Sequence, residues 1–131
     1  MKILLDTGML LWAVGDEHKL NSRAAEMIRS KNSALFLSAA SVWEIAIKYA
    51  IGKLPLHVEP EEFVPAAVTG LGIEALDITA VHAVAAGKLP KHHEDPFDRM
   101  LIAQANAENM VLLTGDRIFE KYKVQYVYGR R

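Results

Sequence analysis

The chain has 131 residues, a net charge of −1 and no cysteine; 51% of its residues are hydrophobic and 24% are charged. This length suffices for a single domain, residues 1–131, with its own hydrophobic core. The lack of cysteine excludes disulfides and thiolate metal sites and favours a cytoplasmic location, and no apolar run approaches the roughly 20 residues of a membrane span.

The predicted elements alternate between strand and helix along the chain. Short apolar runs predict strands at residues 2–6, 34–37, 73–76, 110–113 and 125–128. Helices are predicted at residues 7–14, 21–30, 39–51, 61–69, 79–86 and 95–108, and residues 54–56 are predicted to be extended. This alternation predicts an α/β fold with a mainly parallel central sheet and helices on both faces.

Three glycines follow predicted helices, namely Gly52, Gly70 and Gly87, and each is expected to end its helix. Asp95 and Pro96 occupy the positions of an N-cap and a first helical residue, which predicts the start of the sixth helix.

Two apolar runs stop at an aspartate, one at Asp6 and the other at Asp116 after Thr114-Gly115. The carboxyl ends of parallel strands meet at one edge of a sheet, where active-site crevices form. Each acid also has a purely structural explanation, because Asp6 could cap the next helix and Gly115-Asp116 could form a turn. Two acids at one edge nevertheless predict a shared site for a cation.

Glu44 lies in a predicted helix that is apolar on nearly all sides. Only Ser41, Glu44 and Lys48 interrupt the apolar pattern, at spacings that place them on one narrow stripe. Ser41 and Glu44 could form a capping box, and Glu44 and Lys48 could form an exposed ion pair. Because so apolar a helix should be buried on several sides, we expect the Glu44 carboxylate to face a polar cavity.

Asp98 falls three residues after the predicted cap Asp95, and both acids complement the positive end of the helix dipole. Stabilisation of the helix start would by itself explain both Asp95 and Asp98. The functional interpretation is that Asp95 caps the helix while Asp98 points into the cleft.

Taken in order, these motifs resemble PIN-domain ribonucleases, specifically the VapC-type toxins of bacterial and archaeal toxin–antitoxin pairs. The resemblance covers nearly the whole chain. Its main blocks are Leu4-Leu5-Asp6-Thr7, Ser41-Val42-Trp43-Glu44-Ile45-Ala46-Ile47-Lys48, Asp95-Pro96-Phe97-Asp98-Arg99 and Leu113-Thr114-Gly115-Asp116. One departure is Gly8, where the family often has His or Asn.

The resemblance implies a three-layer PIN-like fold and a metal-dependent endoribonuclease that hydrolyses RNA phosphodiester bonds with Mg²⁺ or Mn²⁺. Catalytic and metal-binding roles are then expected at Asp6, Glu44, Asp98 and Asp116. Supporting roles are expected for Thr114, which would orient a carboxylate or a water, and for Arg99 and Lys48, which would contact phosphate or pair with the acids.

The resemblance also implies a cognate antitoxin that blocks the cleft, and a homodimer. The near-neutral charge makes a dimer useful, since proteins that bind nucleic acid by charge alone are usually strongly basic and two subunits could pool their cations.

Rival interpretations fit less well. A haloacid-dehalogenase-type phosphatase would need a second acid where this chain has Gly8, and a response-regulator receiver would need paired acids after the first strand. The remaining alternative is a non-catalytic PIN-like module that binds RNA or a protein.

Structural roles are predicted for the histidines and the aromatic residues. A transition-metal site at His92-His93 is disfavoured because adjacent residues rarely bind one ion well. His57 and His82 are expected to be surface or partly buried residues. Core positions are expected for Trp12, Trp43 and Phe97.

Overall fold

The computed structural model describes residues 1–131 and contains five strands, six α-helices and two short 3₁₀-helices. The strands are β1 (Lys2–Leu5), β2 (Ala34–Ser38), β3 (Ile73–Leu76), β4 (Val111–Thr114) and β5 (Tyr126–Tyr128). The helices are α1 (Thr7–Gly15), α2 (Ser22–Arg29), α3 (Ala39–Ala50), α4 (Pro60–Leu71), α5 (Ala80–Lys88) and α6 (Pro96–Ala107). The 3₁₀-helices are Glu17–Lys19 and Arg117–Lys121.

All four strand pairings are parallel, and the strand order is β3-β2-β1-β4-β5. The predicted α/β fold with a parallel central sheet is therefore confirmed. The order places β1 in the centre, between β2 and β4, so the residues that follow β1 and β4 lie side by side at one edge of the sheet.

Two hydrophobic clusters cover the two faces of the sheet. Side chains of successive strand residues point to opposite faces, and β1 follows this rule: Ile3 and Leu5 belong to the cluster under α1, α2, α3 and α4, whereas Leu4 belongs to the cluster under α6. In β4, Leu113 and Leu112 divide in the same way. These residues are fully buried, which explains why the sequence shows continuous apolar runs here and not an alternating pattern.

The register of the central strands positions the first acid. Leu5 pairs with Leu113 of β4 and with Leu37 of β2, so β1 ends level with both neighbours. The backbone N–H of Asp6 donates to the carbonyl of Leu113 at 3.0 Å. Asp6 is thereby fixed at the carboxyl edge, beside Thr114.

Helix ends differ from the predictions at two of the three glycines. Gly52 has φ +75° and follows α3 as expected, but α4 continues through Gly70 and is capped by Gly72, whose φ is +64°. Helix α5 likewise continues through Gly87 to Lys88. The following Pro90 disfavours helical backbone at Leu89, which explains this end point.

Residues 54–56 belong to no strand; Leu54 and Leu56 pack against the core cluster under α1–α4. None of the helices has both the length and the apolar character needed to cross a membrane.

Candidate active site

Asp6 combines a capping role with burial at the sheet edge. Its Oδ1 accepts a hydrogen bond from the backbone N–H of Met9 at 2.7 Å, which caps α1, and the residue is only 8% exposed. The pKa of this carboxyl is raised to about 6, chiefly by burial; hydrogen bonds from Thr114, Met9 and Gly115 act to lower it, and the nearby charge of Glu44 acts to raise it. Asp6 is thus both a helix cap and a desolvated acid.

Glu44 is buried beside Asp6, with 6% of its surface exposed. Its Oε1 accepts a hydrogen bond from Thr7 Oγ1 at 2.6 Å, and its Oε2 contacts Lys48 Nζ at 2.5 Å. The alternative of an exposed Glu44–Lys48 ion pair is therefore correct as to the pair but not as to its exposure, because the acid is buried while the Lys48 side chain is 46% exposed.

The alternative of a capping box between Ser41 and Glu44 is excluded. Ser38 caps α3, and its Oγ accepts from the backbone N–H of Ala40 at 3.0 Å. Ser41 therefore lies inside the first turn, and its buried hydroxyl has no hydrogen-bond partner within the chain.

Asp98 is held at the start of α6. Asp95 caps this helix by accepting hydrogen bonds from the backbone N–H groups of Phe97 and Asp98 at 2.9 and 3.0 Å, which leaves the Asp98 carboxylate free for other contacts. His93 Nε2 lies 2.8 Å from Asp98 Oδ2. Burial raises the pKa of Asp98 to about 6; the charges of Asp95 and Asp6 also raise it, while the hydrogen bond and charge of His93 lower it.

Asp116 is the exposed member of the four. Its Oδ1 accepts from the backbone N–H of Ile118 at 2.9 Å and caps the second 3₁₀-helix. Its own N–H donates to the Oγ1 of Thr114 at 3.0 Å. Thr114 is fully buried and its hydroxyl also lowers the pKa of the Asp6 carboxyl, so one side chain acts on the residues that follow both β1 and β4.

The four acids share the carboxyl edge of the sheet, with Asp6 in the middle. The Asp6 charge acts on Asp98, and the Glu44 charge acts on Asp6. Asp6 and Asp116 line one groove of about 390 Å³. Each carboxylate is held by its own partner, however. The oxygens of the four acids do not all lie within 4.8 Å of one another, as the ligand atoms of one compact metal site would.

The one compact group of possible ligands is His93, Asp95 and Asp98, whose nearest ligand atoms lie within 4.8 Å of one another. Asp95 uses an oxygen as a helix cap and His93 bonds to Asp98, so local structure explains this spacing. The contact between His93 and Asp98 was not predicted. The only sequence signal for it is the position of His93 two residues before the cap.

The PIN domain family model matches residues 3–125 of this chain. The chain belongs to the PIN domain family. Ribonuclease VapC16 of Mycobacterium tuberculosis (strain ATCC 25618 / H37Rv) is 36% identical over 56 residues, which are 43% of this chain and 40% of that relative. The match with this curated relative therefore spans less than half of either protein.

Solved PIN-fold structures align along nearly the whole chain. VapBC2 from Rickettsia felis, bound to a DNA fragment from its promoter, gives a TM-score of 0.74 at 17% identity and covers 98% of this chain and 99% of that one. VapBC-1 from nontypeable Haemophilus influenzae gives 0.64 at 19% identity and covers 97% of both. Mycobacterium tuberculosis VapC20, described as a sarcin–ricin loop cleaving toxin, gives 0.62 at 17% identity and covers 98% and 99%. At such low identity the likeness establishes the fold.

In this PIN domain the guanidinium of Arg99 is engaged in hydrogen bonds within the chain and is not free to contact phosphate. Its guanidinium donates hydrogen bonds at 2.9 to 3.3 Å to one carbonyl near the end of α5 and to three carbonyls of the α5–α6 connection. The four acceptors are Ala86, Leu89, Pro90 and His93. Arg99 therefore fixes the loop that carries His93 and Asp95, and it acts on the acids through that loop.

Two residues of the PIN domain are placed differently from the expectation. Trp43 was expected in the core but is 62% exposed, with its ring edge-to-face against Phe97 at 5.5 Å. His82 was expected to be a surface or partly buried residue but is only 2% exposed. Its Nδ1 accepts from the Thr79 backbone at 3.1 Å and its Nε2 lies 2.9 Å from Glu108, so it joins the start of α5 to the end of α6.

Proposed function

We propose that the chain is a metal-dependent endoribonuclease and the toxin of a toxin–antitoxin pair, and that it hydrolyses RNA phosphodiester bonds. The observation that carries this proposal is the setting of Asp6, a buried carboxylate at the sheet edge with Glu44, Asp98 and Asp116 around it and no Lys or Arg paired with it. Hydrolysis of a polyanion such as RNA needs positive charge at the reacting phosphate. The protein provides acids at this point, so the positive charge would come from a cation that these acids bind.

The residues present fit a divalent cation. Carboxylate oxygens are the ligands that Mg²⁺ and Mn²⁺ prefer. Asp6 and Asp98 have raised pKa values because burial and neighbouring acids oppose their ionisation, and a bound cation would relieve both effects. We propose Asp6, Glu44, Asp98 and Asp116 as the ligands, directly or through water. A metal held there supplies charge that stabilises the phosphate oxygens and makes water a stronger nucleophile.

The neighbouring side chains orient these acids. The Thr114 hydroxyl accepts from the backbone N–H of Asp116 and lowers the pKa of Asp6, so it acts at the ends of two strands. Thr7 and Lys48 occupy the two oxygens of Glu44. Such partners fix carboxylate orientation, and their loss in metal sites typically costs about 10- to 100-fold in metal affinity or activity. We assign Thr114 and Lys48 to this orienting role.

RNA as substrate and an antitoxin as partner are supported by similarity. The relative with 36% identity over its matched part is named as a ribonuclease, and VapC20 is described as cleaving the sarcin–ricin loop. Two of the structures that share this fold are VapBC complexes. We extend these properties to this chain as part of the proposal, together with homodimer formation.

The test is cleavage of structured RNAs by the purified chain with Mg²⁺ or Mn²⁺, compared with EDTA. Wild type should cleave only with metal, and Asp6→Asn and Asp98→Asn should lose cleavage. Asp77→Asn is the matched control, because Asp77 is exposed and lies after β3. Full activity of the Asp6 and Asp98 variants would refute the site. RNA binding without cleavage under any metal would indicate a non-catalytic binding module.

A further inference from the structure

The groove that contains Asp6 and Asp116 has a positively charged wall. Besides the two acids, its lining includes Trp12, Arg117 and Arg130. Lys19 lies at the same place, since its Nζ is 5.9 Å from the centre of the Trp12 ring. The wall therefore begins directly beside the proposed catalytic edge, on its β4–β5 side.

Aromatic rings position the two arginines. The guanidinium carbon of Arg130 is 5.3 Å from the centre of the Trp12 ring, and that of Arg117 is 4.0 Å from the centre of the Tyr128 ring. A guanidinium held over an aromatic face by a cation–π contact can still use its N–H donors for bidentate contact with phosphate. Stacking also reduces the side-chain freedom that would be lost on binding.

None of the three cations is neutralised within the chain. Lys19, Arg117 and Arg130 are exposed, and no carboxylate lies within ion-pair distance of any of them. This differs from Lys48, on the other side of the acids, whose charge is paired with Glu44. The unpaired positive charge beside the acids is thus concentrated on the Trp12 side.

The backbone holds this wall close to the acids. Trp12 packs so tightly over Gly115 that a Cβ there would lie 2.8 Å from the ring, and Gly115 immediately precedes Asp116. Arg130 follows β5, and its backbone pairs with Leu20 next to Lys19. The distance between the cations and the acids is therefore fixed by packed elements and does not depend on a loose loop.

We propose that Lys19, Arg117 and Arg130 bind the backbone phosphates of single-stranded RNA next to the bond that is cut. The inference rests on the proposed ribonuclease function and adds a subsite to it. A chain of net charge −1 with four acids at its active edge needs local cations to hold a polyanion. Phosphate contacts of this kind set position and affinity and carry no sequence information. Two cations that line one groove and a third beside its Trp12 ring suit one strand, not the two backbones of a duplex.

The experiment measures binding of a fluorescent single-stranded RNA in EDTA over a series of salt concentrations, for wild type and for Arg117→Gln/Arg130→Gln. Each phosphate contact contributes about 0.7 to the slope of log affinity against log salt for single strands, so the double variant should lose about 1.4. With Mn²⁺ present, its cleavage should show a raised KM and little change in kcat.

The control is Arg23→Gln, which removes one exposed charge at the opposite edge of the sheet, near Met1 and Asn32. It should leave the slope and the KM unchanged. Arg117→Lys/Arg130→Lys keeps the charge and should restore most of the slope. Should the double Gln variant lose its thermal unfolding transition, the single variants Arg117→Gln and Lys19→Gln provide the same test, each with a slope loss of about 0.7.

The outcomes separate this inference from the proposed function. If wild type cleaves RNA and the double variant has an unchanged slope and KM, the subsite is refuted and the ribonuclease stands. If wild type cleaves nothing but the slope falls as expected, the hydrolytic function fails and the RNA-binding wall stands. If RNA affinity is unchanged and only antitoxin binding is lost, the wall belongs to a protein interface and the inference is overturned.

Discussion

His93 Nε2 lies 2.8 Å from Oδ2 of Asp98, and this contact joins the α5–α6 loop to an acid of the candidate active site. The histidine lowers the pKa of a carboxyl that burial and neighbouring acids raise. His93 therefore favours the ionised form of Asp98, which is the form that binds a cation.

We expect His93→Gln to weaken Mn²⁺ binding by roughly 10- to 100-fold, the usual cost of losing a side chain that orients a metal ligand. Metal affinity can be measured from the rise in melting temperature with Mn²⁺ concentration. His92→Gln is the matched control, because His92 is the exposed neighbour and contacts Tyr122 instead of the acids. Equal losses in both variants would show that the Asp98 contact is not responsible.

The raised pKa values of Asp6 and Asp98 predict a specific dependence of stability on pH. Both groups have a pKa of about 6 in the folded chain, against an ordinary value of 3.8. Between these values the folded chain binds more protons than the unfolded chain, so these two groups make stability fall as pH rises. A shift of this size corresponds to about 3 kcal/mol for the nearly buried Asp6.

Urea unfolding of the metal-free protein at about pH 4.5 and pH 7 should reveal this effect. Asp6→Asn removes one of the two titrating groups while Asn still caps α1, so the variant should gain stability relative to wild type at pH 7 and little at the lower pH. Mn²⁺ should reverse the trend in wild type, because cation binding requires ionised carboxylates. A gain that is identical at both pH values would contradict the assignment of the titration to Asp6.

The Glu44–Lys48 pair predicts strong coupling between two positions of α3. Removing Lys48 leaves a buried carboxylate without its cation, which costs about 3–5 kcal/mol in fully buried pairs and less here because Lys48 is 46% exposed. We expect Lys48→Met to lower the free energy of unfolding by about 1–3 kcal/mol. Adding Glu44→Gln should recover most of the loss. Lys53→Met, at an exposed position after α3, is the control. Additive effects of Lys48→Met and Glu44→Gln would contradict the coupling.

Elements governed by local patterns were predictable from the sequence. All five strands and six helices were expected, because their apolar runs and caps act over a few residues. The gathering of the acids at one edge also followed from the sequence, since parallel topology brings the ends of β1 and β4 together whatever the intervening loops do.

Features that depend on packing between helices or on the path of a loop were not predictable. His82 is buried because α5 and α6 pack together and Glu108 meets it across 26 residues. Trp43 is exposed because its side of α3 points away from the sheet, although its helix is apolar. The His93–Asp98 contact depends on how Arg99 folds the loop between the two helices. No local pattern encodes these arrangements.

Arg99 provides the last prediction, because one guanidinium holds three carbonyls of the loop that carries His93 and one carbonyl near the end of α5. Hydrogen bonds to charged groups are worth about 1.5–3 kcal/mol each when buried, and Lys cannot reproduce the planar fork of donors. We expect Arg99→Lys to lower the free energy of unfolding by about 2 kcal/mol.

The same substitution should also weaken Mn²⁺ binding, because the loop no longer holds His93 against Asp98. A double variant with His93→Gln tests this route: its Mn²⁺ affinity should be no lower than that of His93→Gln alone, since the contact through which Arg99 acts is already gone. Independent, additive losses of affinity would instead indicate that Arg99 acts directly at the acids, as a phosphate or carboxylate partner, and that the loop contacts seen here are not its main role.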